Sequence, residues 1–169
     1  MKVLIFILLL GFSSFAQNTY NLIPLPKEMT PMAGQFIIKK STSIGFAHPD
    51  FAPVANLLAE HIQLASSFPM AAKTGNSSTI QFTQNNSLGD EAYSLQVSAK
   101  KISIQAKTGK GAFYALQTLL QLMPAQIYAG TAIAGPIAIP NVNIKDEPRF
   151  SYRGLMLDVG RYYYPVESV

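Results

Sequence analysis

Residues 92–108, AYSLQVSAKKISIQAKT, alternate apolar and polar side chains in two successive runs, and no other stretch restricts the possible folds as tightly. Tyr93, Leu95 and Val97 fall on one side of the first run. Ile102, Ile104 and Ala106 fall on one side of the second, with Lys100-Lys101 between them. A period of two marks strands with one buried face. Two such runs joined by a short polar reversal predict an antiparallel hairpin. Its apolar face needs a cover, and the flanking segments can supply one.

FAPVANLLAEHIQLA repeats its apolar residues every three or four positions at Phe51, Val54, Leu58 and Ile62, with Leu57, His61 and Leu64 widening the stripe. This predicts an amphipathic helix packed on a sheet. GKGAFYALQTLLQLMP predicts a second, with Phe113, Leu116, Leu120 and Met123 on its inner face and Pro124 as its stop. Phe113 and Tyr114 are expected in the core. GKGA lacks the spaced ending of a phosphate loop and reads as a helix start, where Gly111 supplies conformational freedom.

Further strands are expected at STIQFTQ and in PIAIPNVNIKDEPRF, the latter an edge segment because Pro140 lies inside it. GQFIIKKSTSIGF alternates at Phe36, Ile38, Ile44 and Phe46 and predicts a strand pair around a Lys/Ser/Thr turn. Ahead of it YNLIPLPKEMTP, with three prolines, predicts an extended lead-in. The expected fold is α/β: a mostly antiparallel sheet with two helices on one face.

The first sixteen residues, MKVLIFILLLGFSSFA, pair a lysine with an apolar run from Val3 to Leu10 and small residues up to Ala16. That is the layout of a secretory signal peptide cleaved after Ala16, which predicts export to the periplasm, cell surface or medium. The run is shorter than the roughly 20 residues of a membrane span, so no stable membrane span is expected.

The chain has no cysteine, which excludes disulfides and thiolate chemistry. His48 and His61 have no partners at ligand spacing, so no metal is expected. The net charge is +4, but the lysines are scattered and only Lys39-Lys40 and Lys100-Lys101 are adjacent. No nucleic-acid partner is expected from that distribution.

After KDEPRF the pattern changes to SYRGLMLDVG, an apolar run of the kind buried on both faces in parallel sheets and barrels. A lone strand of that kind cannot bury itself. The tail is therefore expected to be the truncated start of a larger domain. The expected division is a signal peptide at 1–16, an accessory domain at 20–145 and the barrel start at 146–169.

Several ordered blocks, LIPLPKEM, EAYSLQV, KISIQAKTGKGAFYALQTLLQLMP, IPNVNIKDEPRF and DEPRFSYRGLMLDVGRYYYPVESV, resemble glycoside hydrolase family 20, the β-N-acetylhexosaminidases. The resemblance runs from about Leu22 to the end of the chain. It implies a (β/α)8 TIM barrel after the accessory domain, with its first strand near Tyr152 to Val159 and its site at the C-terminal ends of the strands. It also implies removal of terminal β-linked N-acetylglucosamine or N-acetylgalactosamine from glycans. Catalysis of that kind is substrate-assisted and retaining, and uses no cofactor. The aspartate–glutamate pair that performs it lies further along in the family. Asp90-Glu91 and Asp146-Glu147 do not match it, and no catalytic residue is assigned within this chain.

By the same resemblance Arg153 binds the sugar hydroxyls, for which a guanidinium fork is suited. Asp158, Arg161 and Tyr162 are candidate site supports. Asp158 inside an apolar strand calls for a partner, which Arg161 can supply. Tyr162 stands where the family usually has histidine. Tyr163 and Tyr164 are expected to pack between the strand and the next helix, with sugar stacking as the alternative. The main partner implied is the catalytic barrel of the same protein. A second class remains open: a non-catalytic exported carbohydrate-binding or packing module.

Overall fold

The computed structural model describes Tyr20, residues 22–156, Asp158, Gly160 and residues 165–168. The expected signal peptide lies outside the described residues. Nine elements form the domain: β1 (Glu28–Ile37), β2 (Ile44–Phe46), α1 (Ala52–Ser66), β3 (Ala72–Thr74), β4 (Ile80–Gln84), β5 (Tyr93–Val97), β6 (Ile102–Ala106), α2 (Gly109–Gln121) and β7 (Ala138–Asp146). Short 3-10 turns precede α1 and follow α2.

The hairpin forms as expected. Tyr93 pairs with Ala106, Leu95 with Ile104 and Val97 with Ile102, all buried on one face. Ser98 closes the turn, its hydroxyl accepting from Lys101 N–H at 3.1 Å and donating to Lys101 C=O at 2.8 Å. On the opposite face Ser94, Gln96, Ser103 and Gln105 are exposed or half-buried. The period of two is thus the imprint of a sheet covered on one side.

The sheet has seven strands in the order β1-β7-β5-β6-β4-β2-β3. From β1 to β6 the neighbours are antiparallel, and from β6 to β3 they are parallel. The expectation of a mostly antiparallel sheet is corrected to a mixed one. Alternation reports which face of a strand is buried and carries no information on its direction.

Two pairings also differ from expectation. β1 and β2 do not pair: β1 lies at one edge, while β2 sits between β3 and β4. The turn at Lys39–Thr42, closed by Thr42 N–H to Lys39 C=O at 2.9 Å, redirects the chain instead of starting a hairpin. β7 is interior, between β1 and β5. Its Pro140 faces Gln35 next to a register shift between Pro31 and Gln35, where Gly34 has φ +93°. A bulge tolerates the missing N–H that a regular central ladder would not.

Helix α1 buries Val54, Ala55, Leu58, Ala59, Ile62 and Ala65. Leu64, expected in its inner stripe, is exposed. Helix α2 begins at Thr108, whose hydroxyl accepts from Lys110 N–H, and buries Gly111, Ala112, Ala115, Leu116, Leu119 and Leu120. Its inner face is therefore rotated from the expected one, leaving Phe113 41% exposed. Small residues bring the helix close to the sheet: a Cβ on Gly111 would stand 2.4 Å from the Ala92 carbonyl oxygen. Close approach, and not an unusual backbone conformation, is what requires glycine there.

Past β7 the described residues contain no strand. Tyr152 to Met156 are irregular and exposed, with Leu155 95% and Met156 89% accessible.

Candidate functional site

The lead-in before β1, the middle of α2 and the connector after β7 converge on one cleft of about 580 Å³. Leu22, Pro24 and Leu25 form one wall, Tyr114, Gln117 and Gln121 another, and Pro148 to Phe150 with Arg153 the rim. Polar clasps hold these walls. The Gln121 amide accepts from Ile23 N–H at 2.9 Å and donates to Ile23 C=O at 3.0 Å. Asp146 accepts from Lys27 N–H at 3.0 Å, and Glu147 pairs with the Lys27 ammonium. That carboxylate raises the Lys27 pKa above its ordinary value.

At the cleft floor the Tyr93 hydroxyl lies 2.6 Å from Thr118 Oγ1 and donates to Asp146 Oδ2 at 3.4 Å. Burial pushes the Tyr93 phenol well above the usual tyrosine range, because removing the ring oxygen from water penalises its anion.

Arg153 lies on the rim. Its Nη2 donates to Glu91 Oε1 and Oε2, both at 3.0 Å, and to the Tyr114 hydroxyl at 3.0 Å, while Nη1 donates to Phe150 C=O. The guanidinium carbon stands 5.8 Å from the centre of the Tyr114 ring. The Glu91 hydrogen bonds raise the Arg153 pKa above its ordinary value.

The other sequence candidates are dispersed. Asp158 is exposed, and its Oδ1 accepts from Gly160 N–H at 2.8 Å in a local turn. Arg161, Tyr162, Tyr163 and Tyr164 lie outside the described residues. His48 caps the turn before α1 by accepting from Asp50 N–H. His61 is within hydrogen-bonding distance of Leu57 C=O and meets Tyr128 edge to face. Among the described residues no group of three metal-ligating side chains is assembled.

Both adjacent acid pairs serve as fasteners. Asp90 pairs with Lys107, which holds its carboxyl below the ordinary value, and Glu91 takes Arg153. Asp146 and Glu147 take Tyr93 and Lys27. Sequence reading did not single out Glu91, Tyr114 or Gln121 as partners of the lead-in and the connector. The bonds span 62, 39 and 98 positions, and no local period encodes such distances.

The profile of glycosyl hydrolase family 20, domain 2, matches residues 19–147. The chain belongs to glycosyl hydrolase family 20. A β-hexosaminidase of Porphyromonas gingivalis is 36% identical to this family 20 chain over 154 residues, covering 88% of the chain and 20% of the relative. One from Vibrio furnissii is 30% identical over 151 residues, covering 89% and 23%. Among solved structures, the β-N-acetylhexosaminidase of Streptomyces coelicolor superposes with a TM-score of 0.75 at 28% identity, over 84% of this chain and 29% of that one. The chitobiase of Flavobacterium johnsoniae gives 0.69 at 28%, over 88% and 24%. The family 20 chain thus spans about a fifth to a quarter of the curated relatives it matches.

Proposed function

We propose that this chain is the N-terminal, accessory part of an exported β-N-acetylhexosaminidase that removes terminal β-linked N-acetylhexosamine from glycans. The observation that carries this reading is the family 20 match over residues 19–147 together with β-hexosaminidase relatives four to five times longer than the segment they share with it. The same reading divides the chain into a signal peptide at 1–16, a domain at 20–145 and the entry to a barrel at 146–169. In the family mechanism the acetamido oxygen of the substrate attacks its own anomeric carbon, and an aspartate–glutamate pair orients the amide and protonates the leaving oxygen. The four acids of the two adjacent pairs are engaged with Lys27, Arg153, Lys107 and Tyr93, which suits them to holding a scaffold together. The accessory domain then contributes support: its cleft gathers the lead-in before β1 and the connector after β7, and exposed Leu155 and Met156 follow that connector.

The test is to express the reading frame through and beyond Val169 and assay both products on a p-nitrophenyl N-acetyl-β-glucosaminide and its galacto epimer. The longer product is expected to release nitrophenol and, when exported, to begin at Gln17. The 169-residue chain is expected to release none. A longer product that folds and hydrolyses neither substrate overturns the hydrolase reading and leaves the binding or packing module.

A further inference from the structure

We infer that the open face of the sheet is a glycan-binding surface, and that an extended chain of β-linked N-acetylhexosamine lies across the strands along Thr30, Asn143, Gln96 and Ser103. The choice of sugar rests on the hydrolase reading above. The basis is the register on the face turned away from buried Tyr93, Leu95 and Val97. Thr30 pairs with Asn143, Asn143 with Gln96 and Gln96 with Ser103, so four strands bring these exposed or half-buried side chains into one line. At about 4.8 Å from strand to strand the line is about 14 Å long. It ends at Gln81, the partner of Ser103. The buried Gln81 amide donates to Gly75 C=O at 2.8 Å and accepts from Ser78 N–H at 3.1 Å, pinning a loop over that end. A second line, Ser94, Gln105 and Thr83, runs beside the first.

Residues chosen only to form strands would differ. Threonine, valine and aromatic residues suit exposed strand positions, and asparagine is disfavoured there. Here Thr30 and Thr83 sit among amides and serines. Strand propensity does not account for that choice, whereas a partner rich in hydroxyl and amide groups does. A carboxamide donates and accepts at once, so it meets a sugar hydroxyl in either role and can pair with an acetamido group at two points.

The same chemistry excludes other partners. The two lines carry no charge, and Glu28 and Lys145 at their margin are paired with each other at 3.8 Å. A phosphate backbone requires cations, a protein interface an apolar centre, and an anionic lipid surface basic side chains. A neutral glycan requires none of these. Neither line holds an aromatic ring on which a sugar could stack, so the contacts are hydrogen bonds in competition with water. Binding is therefore expected only for a chain of linked sugars, which makes several contacts at once.

Native electrophoresis of the 169-residue chain through gels containing glycol chitin, a soluble polymer of this kind, or dextran tests the surface. Glycol chitin is expected to slow the chain, and dextran is not. Gln96→Thr with Asn143→Thr replaces both amides by a better strand former, so this variant is expected to melt no lower than the parent. It should bind the polymer about tenfold more weakly through the loss of two hydrogen bonds. A variant slowed as much as the parent overturns the inference, as does a parent that both polymers slow alike or not at all. Amide NMR needs no variant: the chitin tetramer is expected to shift the Gln96, Ser103 and Asn143 signals and to leave Lys110, at the start of α2, in place. Shifts confined to the helices overturn the surface. Sedimentation tests the remaining occupant, because a dimer dissolved by the double substitution would make this face a contact between copies of the chain and overturn the glycan. A longer product without hydrolase activity overturns the functional reading, while these measurements on the shorter chain decide the surface separately.

Discussion

Tyr93 joins the core to the cleft: its ring is almost fully buried, while its hydroxyl meets Thr118 and Asp146. Tyr93→Phe keeps the ring and removes the hydroxyl, with an expected cost of about 1 kcal/mol at neutral pH. The alkaline side distinguishes this residue further. Its folded pKa is raised by burial above the unfolded value of 10.0, so the folded state holds the proton more tightly. Stability from that source is fully present below about pH 10 and falls as pH rises through the higher folded value. Urea midpoints measured from pH 8 to 11.5 are expected to decline less steeply in Tyr93→Phe than in the parent. Some slope will remain, because burial also raises Tyr20 and Tyr128. Equal slopes would show that Tyr93 is not a source of the alkaline loss.

At the scale of elements, α2 is placed by its small residues. Gly111→Ala improves intrinsic helix propensity by about 1 kcal/mol. The new methyl would nevertheless meet the Ala92 carbonyl at 2.4 Å and the Ala106 Cβ at 3.2 Å. Backbone cannot swing aside as a side chain does, and overpacking of this kind costs typically about 1–3 kcal/mol. A lower melting temperature is therefore expected, whereas Lys110→Ala, one position earlier and exposed, should change it little. A melting temperature raised by Gly111→Ala would show that the helix can move off β5 at no cost. This contact explains a limit of the sequence reading as well. Phe113, Leu116, Leu120 and Met123 fit a helical stripe, yet Gly111, Ala112 and Ala115 are on the buried face and Phe113 is turned outward.

At the scale of the molecule, apolar side chains gather where the chain leaves its domain. Leu25, Phe150, Leu155 and Met156 are each more than half exposed, Leu25 and Phe150 on one cleft, and exposed apolar surface of this kind marks a place of contact. The 169-residue chain is expected to bind the dye ANS and to associate with itself as its concentration rises. Leu155→Ser with Met156→Ser should reduce both while leaving the melting temperature unchanged, since neither side chain contributes to the core. Dye binding that is unaffected by the pair would place the exposed surface elsewhere.

Local patterning was enough to locate both helices, the β5–β6 hairpin, and the strands near 80–84 and 138–146. Each burial period is written within a few adjacent residues, and a side chain's face follows from its place in that period. The family resemblance was legible for the same reason, as ordered blocks along the chain. Beyond that hairpin, the partners of those elements were not legible. The parallel half of the sheet, the short edge strand β3, the interior place of β7 and the separation of β1 from β2 depend on contacts between distant segments. So do the contacts of Arg153: the resemblance implied a sugar-binding guanidinium, and the folded domain sets Glu91 and Tyr114 beside it. The sequence determined which faces seek burial, because that choice is local. Only the tertiary structure decided what meets them, because partner choice depends on packing and charge across the whole chain.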